Sequence, residues 1–246
     1  MSGGWTAELV LGGIVLAGAS VQRLAGIGFA LVAAPALVLL LGPAQGVLLS
    51  NAASGAISLI GLADGWRRVR LRAMVPLVAA AACAVPAGAW VAARLPQDVL
   101  LAGMGALVSA AVLLVAYGAR LSALRGSSGA LAAGAASGFM NSAAGVGGPA
   151  MSLYAVNADW PVREFVPNAQ FYGVTVNALS LLVKGAPRLT SPVWLLVAAG
   201  IAGGAVAGKA LADRIPEARA RRLVLLLALA GGLTTAAKGL WELTAH

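Results

Sequence analysis

Long apolar runs, cut by short polar or glycine-rich breaks, make up nearly all of this chain. The runs at 73–93 and 99–119 reach the roughly 20 apolar residues that a helix needs to cross a bilayer. Apolar and polar positions nowhere alternate with period two, which sets a membrane β-barrel aside. The pattern predicts ten helical segments: 7–21, 27–41, 44–63, 73–93 and 99–119, then 130–143, 146–156, 165–183, 192–212 and 222–241. The first run has neither a basic leader nor a convincing small-residue cleavage site, so it reads as structure and not as a signal peptide.

Two breaks stand out: Gln22-Arg-Leu-Ala-Gly-Ile-Gly28, and about 120 residues later Asn141-Ser-Ala-Ala-Gly-Val-Gly-Gly-Pro149. Gly88 with Ala93-Arg-Leu-Pro96 recurs at a similar offset as Gly208 with Asp213-Arg-Ile-Pro216, and Ser58-Leu-Ile recurs as Ser180-Leu-Leu. Self-similarity at a fixed period marks a duplicated unit. The expected units are 1–122 and 123–246, each with two short helices around a break followed by three full spans. The expected fold class is an all-α integral membrane protein, a polytopic helical bundle of two inverted-topology repeats with eight to ten spans. Whether each broken pair is re-entrant or fully crossing stays open.

Composition agrees with a membrane setting: 60% of residues are hydrophobic, 10% are charged, and mean hydropathy is +0.90. A net charge of +9 and a pI near 11.1 would suggest nucleic acid in a soluble protein. Here the cations sit in short loops between apolar runs, where Lys and Arg mark the cytoplasmic face. One side receives Arg67, Arg68, Arg70, Arg72, Arg120, Arg125, Arg163, Arg214, Arg219, Arg221 and Arg222; the other receives Arg94, Lys184, Arg188 and Lys238. Loop for loop, the first unit's arginine-rich loop has a counterpart in the second unit holding only Lys184 and Arg188, and the next loop carries the arginines instead, as an inverted repeat requires. This reading puts both termini outside. The single Cys83 excludes an internal disulfide and is expected to pack as a small apolar residue.

At a helix break, amide hydrogens of the outgoing half-helix carry partial positive charge, and glycine lets an oxyanion approach them. The expected donors are the backbones of Gly26, Ile27 and Gly28 in one unit and of Gly145, Val146, Gly147 and Gly148 in the other. Glycines also serve close helix packing in membranes, and that reading stands beside the first. Gln22, Asn141 and Ser142 either donate to the anion or cap the half-helices. Arg23 is either a counter-charge for the substrate or a loop arginine. Ser50, Asn51, Asn168 and Gln170 open the next span of their units and can reach the broken tips. Ser54, Tyr172 and Asn177 either line a pathway or bond between helices. Lys209 either snorkels or pairs with Asp213, four residues on.

The eight acids, Glu8, Asp64, Asp98, Asp159, Glu164, Asp213, Glu217 and Glu242, all fall at segment ends or in loops, and His246 is the only histidine. No proton relay, histidine metal centre or catalytic triad can be assembled from them. No metal and no cofactor are therefore expected, and an enzyme is disfavoured. The expected partners are a small anionic substrate and the lipid bilayer, not nucleic acid, with a homodimer as one open form of assembly.

Gln22-Arg-Leu-Ala-Gly-Ile-Gly-Phe-Ala-Leu-Val with Pro35, Gly145-Val-Gly-Gly-Pro149, and the repeated Ala-Arg-Leu-Pro and Asp-Arg-Ile-Pro ends together resemble the sulfite exporter TauE/SafE family over essentially the whole chain. The resemblance implies transport of sulfite, sulfoacetate or other small sulfur-containing anions across the bacterial inner membrane. Members of that family commonly carry Gly-Thr-Ser at the start of the helix after each broken pair; Leu49-Ser-Asn51 and Pro167-Asn-Ala169 stand there in this chain. An exporter is the expected activity. The rivals are an anion channel, an uptake permease for an organosulfonate or carboxylate, a membrane enzyme and a structural subunit.

Overall fold

The computed structural model describes residues 5–117, 125–212 and 214–245. Among these there are nine α-helices: α1 (Trp5–Ala25), α2 (Phe29–Ala63), α3 (Leu71–Arg94), α4 (Gln97–Ala116), α5 (Gly126–Ala144), α6 (Gly148–Asn157), α7 (Val162–Lys184), α8 (Ser191–Ala212) and α9 (Glu217–Thr244). A single 3₁₀ turn, Trp66–Arg68, links α2 to α3. The expected unit boundary at 122/123, together with Arg120, Asp213 and His246, lies outside the described residues.

Helix α2 is one element of 35 residues, but Gly42 adopts φ 80° and ψ 164°, which breaks it into two arms. Pro43 follows at the first turn of the second arm, where a missing N–H costs no intrahelical bond. The arms correspond closely to the segments expected at 27–41 and 44–63. The other helices also match their segments, with one systematic difference at the breaks. Gln22 and Arg23 lie inside α1, and Asn141 and Ser142 lie inside α5, so the chain leaves the helix only at Gly26 and at Gly145. Amide and hydroxyl side chains tolerate helical backbone angles; Gly26 (φ 76°), Gly28 (φ 127°) and Gly145 (φ 73°) do not hold them. Helix α1 therefore reaches 21 residues, longer than the short half-helix expected there.

Six helices, α1 to α4, α8 and the 222–244 part of α9, are long and apolar enough to cross a membrane. The others fall short for reasons visible in their sequence: α6 has only 10 residues, and α7 carries Arg163, Glu164, Asn168, Gln170 and Asn177. The outer surface suits lipid. Leu182, Leu195 and Val206 are exposed, and Trp5, Trp90, Trp241 and Tyr117 sit exposed near helix ends, where amphipathic rings favour the headgroup region. Cys83 is exposed on α3 and does not take the packed position expected of it.

The helices associate in pairs. α1 lies on α8, α5 on α3, α4 on α9, and α2 on α7 through the centre. One apolar cluster joins Leu11, Val15 and Ala19 of α1 to Phe29, Leu49 and Ile57 of α2 and Val197 of α8. A second joins Met74, Leu77 and Ala81 of α3 to α5, α6 and α7 through Ala133, Met151 and Tyr172. Small residues let these helices approach closely. A Cβ on Gly204 of α8 would lie 2.5 Å from the Leu16 carbonyl oxygen of α1, and one on Gly138 of α5 would lie 2.6 Å from that of Ala81 on α3. Gly204 and Gly138 are thus packing glycines.

Candidate functional site

Both glycine breaks open onto one cavity of about 60 Å³. Gly26, Ile27 and Gly28 line it from the first break, and Val146, Gly147 and Gly148 from the second. Gln22 of α1, Asn141 of α5, Ser54 and Ser58 of α2, and Tyr172 and Asn177 of α7 complete the polar wall, while Leu31, Met151, Phe165 and Val176 supply an apolar one.

Two helices begin at this cavity. The first amide to find a helical acceptor in α2 is that of Val32, which donates to the Gly28 carbonyl at 3.2 Å. The amides of Phe29, Ala30 and Leu31 precede it in the first turn, where no intrahelical acceptor exists. In α6, Gly148 opens the helix and Pro149 brings no N–H, leaving Gly148 and Ala150 as first-turn donors. No side chain caps either start, at Gly28 or at Gly147. The reading of Gln22, Asn141 and Ser142 as caps for these helices therefore fails. Two of the expected backbone donors are also engaged: Gly145 donates to the Asn141 carbonyl at 2.9 Å, and Val146 to that of Met140 at 3.5 Å, closing the end of α5.

The amide side chains bond across the chain instead. Gln22 Nε2 donates to Ser58 Oγ at 2.8 Å, and Asn141 Nδ2 donates to Ser180 Oγ at 3.0 Å. The first ties α1 to α2 and the second ties α5 to α7. Two more bonds reach backbone carbonyls: Gln170 Nε2 donates to the Gly26 carbonyl at 2.7 Å, and Asn51 Nδ2 reaches the Asn141 carbonyl at 3.5 Å. Gln22 also donates to Gln170 Oε1 at 3.2 Å, and Asn141 to Asn177 Oδ1 at 3.1 Å. Side chains of α7 and α2 thus hold the backbone at Gly26 and at Asn141.

Of the expected site residues, Gln22, Gly26, Gly28, Asn141, Gly147, Gly148, Ser54, Tyr172 and Asn177 share the cavity wall. Arg23, Ser50, Asn51, Ser142, Gly145, Asn168 and Gln170 stand outside it. Arg23 is met by Asp64 at 2.8 Å, at the end of α2, so its charge is spent on a surface pair. Asn168 accepts from the Arg70 amide at 2.8 Å and fastens the loop before α3. Gln170 acts from behind, through Gly26. Ser50 Oγ, Asn51 Oδ1 and Ser142 Oγ are buried with no hydrogen-bond partner, an arrangement that costs about 1–3 kcal/mol per group.

Two wall residues, Ser152 and Phe165, and Ser137 bonded to the wall at Gly147 were not singled out from the sequence. Ser137 Oγ donates to the Gly147 carbonyl at 2.7 Å, and Ser152 Oγ to that of Gly148 at 2.9 Å. Ser137 lies four residues before Asn141 on one helix face, a spacing that would have found it. Phe165 gave no signal, because one aromatic in an apolar chain carries no address.

Long apolar helices around a buried polar hollow define a multi-pass membrane protein. The chain belongs to the sulfite exporter TauE/SafE family, whose model matches residues 10–235. The family is one of transporters, and this places the chain among membrane transport proteins. No curated protein and no solved structure matches it.

Proposed function

We propose that this protein exports a small sulfur-containing anion, such as sulfite or a short organosulfonate, and binds it between two facing helix breaks. The observation that carries this is the shared cavity: two glycine turns some 120 residues apart in sequence, at the starts of α2 and α6, line a single hollow. The donors are neutral, and no acidic side chain lines the wall to repel an anion. On the same measure a water needs about 10–15 Å³, so a cavity of about 60 Å³ takes about four to six heavy atoms. That suits sulfite as the hollow stands, and a longer sulfonate once it widens.

The two halves are read as inverted repeats, residues 1–122 and 123–246. The reciprocal pairing of α1 with α8 and α5 with α3, and the matched Gln22–Ser58 and Asn141–Ser180 bonds, support that reading. A second cavity of about 220 Å³ shares Ile27, Leu31, Ser152 and Phe165 with the first and is the approach from the arginine-rich, cytoplasmic side. With the cell interior negative, each unit of anionic charge leaving gains about 2.3 kcal/mol per 100 mV, so efflux needs no coupling ion.

Proteoliposomes loaded with sulfite or sulfoacetate test this directly. Efflux should accelerate when the lumen is made negative with a potassium gradient and valinomycin. Electroneutral transport would refute potential-driven export, and unitary currents without counterflow would make the protein a channel.

A further inference from the structure

We propose that a second anion site lies on the far side of the polar seam, in a cavity of about 370 Å³ where the ammonium of Lys184 is the receiving charge. This rests on the export reading and names the station at which the anion leaves the central hollow. Lys184 ends α7, is half-buried, and shares the cavity wall with Pro43, Ala44, Leu48 and Ala143 and with apolar positions of α3 and α4. Its amine donates to the Ser142 carbonyl at 2.7 Å. Among the described residues no carboxylate pairs with it; the ion pairs seen there join Arg23 to Asp64, Arg70 to Glu164 and Lys238 to Glu242.

A lysine at a helix C-terminus has a simpler role, since it can satisfy one of the last carbonyls of α5. A cap alone needs no hollow around it. Here the cation forms the polar part of an otherwise apolar wall, a costly placement that an arriving anion would relieve. The position along the route fits. α2 gives Ser54 to the central cavity and Leu48 to this one, six residues or about 9 Å apart. α5 gives Asn141 to the first and Ala143 to the second. Between them stand Ser50, Asn51 and Ser142, each buried with an unpartnered oxygen. Unsatisfied groups of this kind can take up an anion or its water when the seam parts, and a sealed apolar barrier would not retain them. The loops on this side are poor in arginine, so Lys184 draws the anion outward with little competition.

The test uses the full chain in a Cys83→Ser background, with Lys184→Cys and sulfite as the transported probe. Losing one charge-assisted bond should slow sulfite efflux by about tenfold or more. Alkylation with 2-bromoethylamine, which restores a cation through a thioether that sulfite does not cleave, should recover the rate, whereas neutral iodoacetamide and anionic iodoacetate should not. If Lys184→Cys moves sulfite as fast as its parent, or if the neutral reagent recovers it equally, Lys184 is a cap and the second site does not exist. A parent that moves no anion at all would instead overturn the export reading. Should the cysteine variant fail to fold, Lys184→Arg against Lys184→Gln makes the same comparison: retention by Arg and loss by Gln support the site, and equal rates overturn it.

Discussion

Gly148→Ala separates the two roles that glycine can play in this chain. A Cβ built on Gly148 meets nothing within 4 Å, and the residue lines the central cavity at the first turn of α6. The substitution therefore costs no packing, and by restricting the unfolded chain it stabilises the helix by up to about 1 kcal/mol. The new methyl enters the hollow. It takes the place of about one water-sized position among the roughly four to six that a cavity of about 60 Å³ provides, and it stands between the anion and the α6 amides. Losing one hydrogen bond to a charged group is worth about 1.5–3 kcal/mol, so sulfite affinity should fall between ten- and a hundredfold. Gly147→Ala is the contrast, because its Cβ would sit 2.8 Å from both the carbonyl and hydroxyl oxygens of Ser137 and would disturb the fold itself. Thermal unfolding in detergent with and without sulfite, beside proteoliposome flux, reads both quantities. A Gly148→Ala protein with unchanged stability and unchanged sulfite affinity would refute the amide cradle and leave these glycines as packing residues.

Five further substitutions probe the rest of the arrangement. Gln22→Ala and Asn141→Ala each remove a donor from the cavity wall and from Ser58 or Ser180; each should weaken sulfite binding about three- to tenfold in a ligand-dependent thermal shift, and no change from either would remove the polar lining from the site. Arg23→Gln breaks the pair with exposed Asp64 and should cost under about 1 kcal/mol of stability while leaving anion affinity intact; an affinity loss beyond tenfold would return Arg23 to the role of counter-charge. With Cys83 replaced by serine, Arg67→Cys should react with an impermeant maleimide from the cytoplasmic side alone and Arg188→Cys from the opposite side alone. Labelling of both from one face would break the inverted topology.

Helix breaks were legible because the chemistry behind them is local. Gly42-Pro43 splits α2 where two apolar runs meet, and Gly26 and Gly145 take positive φ within motifs that the bare sequence isolates. Partners were not legible, because they depend on how distant helices dock. Nothing near Gln22 in sequence announces Gln170, and nothing near Arg23 announces Asp64. The error at Cys83 has another cause. In water an apolar residue belongs inside, but against lipid the outside is equally apolar, so hydrophobicity cannot assign a small residue to the core. Cys83 faces outward on α3 accordingly.

In this setting the polar residues mark the interior. Asn168, Gln170, Asn177 and Ser180 make α7 too polar to pass as a spanning helix by composition, yet all four are buried. A helix that gives up lipid compatibility to keep amides and hydroxyls inside is tolerated where those groups find partners or a watery hollow. Those of α7 find Gly26, Asn141 and the cavity between the two breaks. The buried polar helix α7 thus borders the cavity between the two breaks, and α2 and α5, which also line it, carry the unpartnered oxygens of Ser50, Asn51 and Ser142.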